Sequence, residues 1–209
     1  LHTEIVGSSL DRDQLWNAAE VKETNKNGSV KENARVAREL VVSLPYEATR
    51  DQQINASRDL AKHMNETYGV AVDFAVHAPS KGGDERNIHA HLLFTTRTME
   101  GDKLGKKTRI LDDKKTGPIE IEKVRAKYSE IAQSIADDQN KWDNQSYEAR
   151  GIDRQPQAHM GKAATAMERK GIQTVHGDEK RQIQDNNYER EMTRDEIADL
   201  EQELENQQE

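Results

Sequence analysis

The chain has 209 residues, 33% hydrophobic and 33% charged, with a net charge of -8 and a mean hydropathy of -1.04. An ordinary soluble domain is about 45–50% apolar and about 25% charged, so one good-sized domain is expected with a part that does not pack. There is no cysteine, which excludes disulfides, cysteine zinc sites and thiol catalysis; no apolar run approaches the roughly 18 residues of a membrane span, and no signal-peptide pattern opens the chain.

In chain order, His2–Val6 reads as a short strand ended by Gly7. Asp11 is placed to cap a helix running to Lys22, with Leu15, Trp16 and Ala19 on one face. Val36–Pro45 alternates as a strand, with Arg38, Leu40 and Val42 on one side and Ala37, Glu39, Val41 and Ser43 on the other. Thr49 opens a helix to Tyr68, with Ile54, Ala61 and Met64 near one stripe and Gly69 as its stop. Val70–Ala78 and Ile88–Arg97 are β-branched and aromatic runs that predict an antiparallel hairpin, joined by a polar loop with Gly82 and Gly83 at its tip. Residues 100–117 form a basic, glycine-containing excursion. Pro118 then starts a long helix to Asp138, at the position where proline is tolerated. Beyond Trp142 the chain turns polar. His159–Lys170 reads as a short helix, residues 177–191 are nearly free of large apolar side chains, and Thr193-Arg-Asp-Glu196 reads as a capping box ahead of Ile197, Leu200 and Leu204. That last helix is too short to stand alone in water, so residues 172–209 are expected to be a flexible or partner-docked extension.

The acidity is concentrated at one end. Residues 189–209 hold nine acids and two bases, a net of -7, whereas 102–130 hold nine bases and six acids, a net of +3. The basic run is either a solvated loop and helix face or a phosphate-contact surface for nucleic acid. Its candidate contacts are Lys103, Lys106, Lys107, Arg109, Lys114 and Lys115.

Three histidines carry the clearest chemistry. His89 and His91 are two apart in an expected strand and share a face. His77 lies near the end of the partnering strand, so the hairpin brings it beside that pair. Three neutral imidazoles suit a divalent metal with a position left open for substrate. Other histidine chemistries fail on spacing: a histidine-triad hydrolase wants a third His at position 93, which is Leu93, and a two-histidine phosphoesterase wants Ser or Thr where this chain has His91 and Pro79. His2 and His63 read as structural or exposed, and His159 as a helix-start residue.

The segment Ile88-His-Ala-His-Leu-Leu-Phe-Thr-Thr-Arg97, preceded by His77, resembles the MobA/MobL plasmid mobilisation relaxases of the HUH endonuclease superfamily. Leu1-His-Thr-Glu-Ile, Asp13-Gln-Leu-Trp-Asn17 and Ala37-Arg-Glu-Leu-Val-Val-Ser-Leu-Pro45 resemble successive blocks of that family. So do Ser146-Tyr-Glu-Ala-Arg-Gly-Ile-Asp-Arg-Gln-Pro156 and Gly161-Lys-Ala-Ala-Thr-Ala-Met-Glu-Arg-Lys-Gly171, so the resemblance covers about residues 1–175 in family order. It implies an α+β fold: an antiparallel sheet (the relaxase palm) with flanking helices on one face and the histidines open on the other, followed by a helical or flexible C-terminal extension. It implies metal-assisted attack of a tyrosine on single-stranded DNA at a plasmid transfer origin, in the bacterial cytoplasm, with accessory relaxosome proteins and a coupling protein as further partners. His77, His89 and His91 would hold the cation; Mn is expected, Zn, Ni or Co fit the same ligands, and Mg is disfavoured by all-nitrogen ligation. Glu39, at the family's acidic position, would accept a hydrogen bond from a ligating histidine or simply pair with Arg38 on the surface.

The chain departs from the family in its nucleophile. Tyr46, Tyr68, Tyr128, Tyr147 and Tyr188 all lack the Tyr-Arg-Ser-Gly-like context of the first family helix. Residue 1 is Leu rather than Met, so the chain is expected to be a processed or partial product whose nucleophilic tyrosine and one central strand lie upstream. The expected organisation is a relaxase domain over 1–142 without its first strand and tyrosine helix, distal relaxase blocks over 143–175, and an acidic tail over 176–209. Two other readings remain: a rolling-circle replication initiator, which shares the His-x-His sheet, and a non-catalytic single-strand-binding fragment.

Overall fold

A computed structural model describes residues 2–79, 84–137 and 141–206. The chain divides into two compact units, Leu1–Asn144 and Gln145–Glu209.

The first unit is built on a five-stranded antiparallel sheet. Strands β1 (His2–Val6), β2 (Ala37–Ser43), β3 (Val70–His77) and β4 (His89–Glu100) take the order β1-β3-β4-β2, and β5 (Lys103–Lys107) pairs with the far end of β4. Alternation sets the faces. Val70, Val72, Phe74 and Val76 of β3 and Ala90, Leu92 and Phe94 of β4 point into the core, each at most 6% exposed. Against them packs α2 (Arg50–Tyr68) through Ala56, Leu60, Ala61, Met64 and Tyr68, with α3 (Gly117–Gln133) adding Val124 and Tyr128. Thr49 closes a capping box with Gln52 at the start of α2, and Gly69 ends the helix at φ +66°, where a side chain would be strained. β3 therefore leaves α2 by a tight reversal and lies directly beneath it.

The opposite face carries Asp73, Ala75 and His77 of β3 and Leu93, His91 and His89 of β4, since these pair across the register. This face is not wholly open, as the sequence pattern suggested. Helix α1 (Arg12–Lys22), capped by Asp11, lies over one end of it. Its Arg12 guanidinium donates twice to Asp73 at 2.7 Å, and the Trp16 indole N–H donates to the same carboxylate at 3.0 Å. Glu23, at the end of α1 and 2% exposed, accepts from Arg97 of β4 (3.0 Å) and Lys107 of β5 (2.8 Å). The basic excursion thus contains a strand, Lys103–Lys107, followed by a short turn of helix at Arg109–Leu111, and its own Lys107 ties it to the end of α1.

In the second unit, α4 (Gly161–Glu168) meets α5 (Val175–Asn206). Thr193 does not open a helix with a capping box, although its sequence context predicts one. α5 is one continuous helix of 32 residues, and the Thr193 hydroxyl donates back to the carbonyl of Glu189 at 2.9 Å, as a mid-helix threonine does. The helix starts earlier because Thr174 supplies the cap, its hydroxyl accepting from the Gly177 N–H at 3.0 Å. Arg181 then bridges Asp178 and Glu168, and Asn187 bonds both backbone groups of Gln155. Polar contacts, invisible to an apolar-periodicity argument, carry this stretch. The tip of the loop between β3 and β4, and the residue expected to end α3 (Asp138), lie outside the described residues.

Candidate metal centre

The two strands of the β3–β4 hairpin place the histidines. His77 stands directly opposite His89, and His91 stands opposite Ala75, whose small side chain leaves room for the imidazole diagonal to His77. Ring centroids are 4.7 Å apart for His77 and His91, 5.2 Å for His89 and His91, and 5.5 Å for His77 and His89. One nitrogen from each lies within 4.8 Å of the other two, and this is the metal-capable cluster found among the described residues.

Hydrogen bonds orient two of the three rings. Nδ1 of His91 lies 2.7 Å from Oε1 of Glu39, which sits one row along β2. Nδ1 of His89 lies 3.0 Å from the Asn87 carbonyl. Neither partner can donate, so Nδ1 carries the proton in both rings and the Nε2 lone pair is left free. That is the tautomer a metal requires, set as carboxylates and carbonyls commonly set it around bound metals. Burial, followed by the charges His91 and His89 would carry, holds His77 below the usual imidazole range and favours its neutral form. The residues present therefore fit a divalent ion with positions left for water or substrate.

The basic run falls elsewhere. β5 pairs with Arg97, Met99 and Glu100, at the other end of β4 from the histidines. His91 to Arg97 is six residues, roughly 20 Å at about 3.3 Å per residue. Lys103, Lys106, Arg109, Lys114 and Lys115 are exposed, whereas Lys107 is spent on the buried Glu23. Arg38 does not pair with Glu39; it reaches Asp112 at 2.6 Å, leaving Glu39 to His91.

The tyrosines are placed as follows. The Tyr68 hydroxyl donates to the buried Glu120 at 3.0 Å, and burial pushes its pKa up to about 12. The Tyr128 hydroxyl donates to the Ser43 carbonyl, and burial raises it further. Tyr147, under the Arg154 guanidinium, and Tyr188, exposed on α5, belong to the second unit. Tyr46, 52% exposed, follows β2 near Arg86. Sequence reasoning missed the Arg12–Asp73–Trp16 and Glu23–Arg97–Lys107 clusters. Each joins residues more than fifty positions apart, and no local signal announces them.

An antiparallel sheet backed by helices, with three imidazoles converging at one end of its free face, defines an α+β domain able to hold a divalent ion. The chain belongs to the MobA/MobL family, whose model matches residues 2–170. It is 30% identical to mobilization protein MobL of Acidithiobacillus ferridurans, over 81% of this chain and 52% of that protein. It is 28% identical to mobilization protein A of Escherichia coli, over 78% of this chain and 24% of that protein. The chain thus spans about half the length of one of these relatives and a quarter of the other. A solved structure described as the molecular basis of vancomycin resistance transfer in Staphylococcus aureus shares the fold, with a TM-score of 0.50 and 22% identity over 73% of this chain and 72% of that one. No helix among the described residues is long and apolar enough to cross a membrane.

Proposed function

We propose that this chain is the phosphate-gripping part of a relaxase, which cuts and rejoins single-stranded DNA at a plasmid transfer origin during mobilisation. The observation that carries the reading is the histidine cluster: three nitrogens within 4.8 Å, two of them with tautomers set by Glu39 and the Asn87 carbonyl. A cation held by His77, His89 and His91 would neutralise a non-bridging phosphate oxygen and stabilise the charge that develops there. All-nitrogen ligation favours Mn, Zn, Ni or Co over Mg, and Mn is the ion of choice for the test.

In the reaction, a tyrosine oxygen bonds to phosphorus and the bond from phosphorus to the 3′ oxygen breaks. The phenolic proton ends on the released 3′-hydroxyl, and the 5′ end stays on the enzyme as a phosphotyrosine. His77, His89 and His91 would hold the cation that keeps the phosphate in line for that attack. Tyr68 and Tyr128 are fastened by their hydroxyls to Glu120 and Ser43 and resist ionisation. Tyr46, Tyr147 and Tyr188 lack the Tyr-Arg-Ser-Gly-like context that the family resemblance implies, and we propose that none of the five tyrosines of this chain is the nucleophile.

The test is denaturing electrophoresis after incubation with Mn and a labelled oligonucleotide spanning the transfer origin. The 209-residue chain should bind the strand and form no covalent band; a protein carrying an added tyrosine-bearing segment should form one. A band from the 209-residue chain that vanishes on Tyr147→Phe or Tyr46→Phe would move the nucleophile into this chain. Mn calorimetry showing no binding would remove the reading altogether.

A further inference from the structure

At the end of β2, whose last residue pairs with His89, lies a cavity of about 290 Å³ walled by Ser43, Tyr46, Arg86, Lys141 and Trp142. We propose that it receives one unstacked base of the single strand whose phosphate would be gripped by the cation on the histidines, a proposal that rests on the function assigned above.

Position is the first argument. Ser43 pairs directly with His89 across β2 and β4, and the next residue, Leu44, donates its N–H to the Ile88 carbonyl at 2.8 Å. Arg86 is three residues before His89. Ser43 on the cavity wall therefore lies one strand away from His89, a backbone spacing of about 4.8 Å.

Chemistry is the second. Single-stranded nucleic acid is held by aromatic faces on which bases stack, interleaved with cations that follow the backbone. Tyr46 and Trp142 supply the faces, Arg86 and Lys141 the cations. The volume is at the small end of ligand pockets, which run from about 300 Å³ upward, and suits one ring system rather than a stack. The local charge balance favours the base over its phosphate inside the recess. Arg86 is already engaged by Asp84 at 2.8 Å, and the Glu47 carboxylate lines the same wall.

Rigidity is the third. The Trp142 ring stands edge-on to Tyr128, with centroids 6.1 Å apart at 89°. Its backbone N–H donates to Gln133 at 2.9 Å. Tyr128 in turn is fastened to the Ser43 carbonyl. The otherwise unexplained bond from a core tyrosine to the last residue of β2 thus fixes the indole against the strand that faces His89. A wall set before the ligand arrives costs less ordering on binding.

The chain has two tryptophans, Trp16 and Trp142, which makes the test direct. Fluorescence of the full chain is titrated with oligothymidine and with a strand of equal length made of abasic residues. In the Trp16→Phe variant, where Trp142 is the sole reporter, oligothymidine should quench emission and the abasic strand should not. Trp142→Ala should weaken oligothymidine binding about tenfold and Trp142→Phe much less, with Mn affinity unchanged in both. Tyr46→Ala, at an exposed position that does not threaten folding, should weaken binding similarly. Oligothymidine that binds without quenching Trp142, and with equal affinity to the Trp142→Ala and Tyr46→Ala variants, would overturn the base site and leave the relaxase reading standing. Absence of any single-strand binding by the unaltered chain would overturn both.

Discussion

Glu39 and His91 are neighbours on a diagonal of the sheet, and their 2.7 Å contact decides which imidazole nitrogen is available. Glu39→Gln keeps the shape but offers an amide that can turn its NH₂ to Nδ1 and support the wrong tautomer. The substitution should weaken Mn binding about 10- to 100-fold, the usual effect of losing such a partner. His91→Ala should abolish tight binding. Calorimetry with Mn distinguishes the two, and equal affinities for the wild type and His91→Ala would remove the triad. Because ligating imidazoles must be neutral, affinity should also fall steeply as the pH drops below about 6. This cluster was legible in the sequence because a strand repeats every two residues. His89 and His91 had to share a face, and antiparallel pairing had to bring His77 opposite one of them. Asp73 occupies the same face by the same rule, but nothing in the order of residues shows that Arg12 and Trp16 come down upon it. Coverage of that face by α1 therefore emerges only from the three-dimensional contacts.

At the scale of elements, two polar anchors replace hydrophobic packing where the chain is short of it. Glu23, 2% exposed, joins the end of α1 to β4 and β5 through Arg97 and Lys107. Desolvation raises its pKa, but the hydrogen bonds from Lys107 and Arg97 outweigh that and leave it below the usual carboxylate range. Glu23→Ala would strand two cations whose side chains are about three-quarters or more covered. Breaking a buried pair costs about 3–5 kcal/mol; allowing for their remaining exposure, a loss of about 2–3 kcal/mol is expected in urea denaturation. In the second unit, hydrogen bonds from Arg181 and Thr174 hold the Glu168 carboxyl down at about 2. A group depressed on folding stabilises fully above its unfolded value, near 4.5, and loses that contribution as the pH falls toward 2. Helix content followed by circular dichroism should therefore decline between pH 4.5 and 2. Glu168→Gln should start lower at neutral pH and show a shallower decline; an identical profile would remove Glu168 as the anchor. The strong helix caps of α1 and α2 were legible from Asp11 and Thr49. The start of α5 was not, because its stability comes from side chains reaching back to Glu168 and Gln155 rather than from an apolar stripe.

Over the whole molecule, charge is segregated: residues 189–209 carry a net of -7 and residues 102–130 a net of +3. Within the first unit the histidines occupy one end of β4 and the basic run the other, roughly 20 Å apart at about 3.3 Å per residue. A strand stacked at about 3.4 Å per nucleotide crosses that distance in about six. Simultaneous contact with both ends needs about six nucleotides of a stacked strand and fewer of an unstacked one, and a dinucleotide should miss the basic run. Of the six cations read as phosphate contacts, Lys107 is committed to Glu23 and the other five are exposed. The sequence could not separate them, since an alternating basic strand and a basic loop share one composition. The structure makes the separation testable. Lys106→Ala and Arg109→Ala should each weaken binding of a long single strand and reduce the slope of log affinity against log salt by about 0.7. Lys107→Ala should leave that slope unchanged and lower the denaturation midpoint instead. A salt slope that shifts for Lys107→Ala but not for the other two would place the phosphate path on the α1 side of β5, and an unchanged slope in all three would return the run to a solvated face.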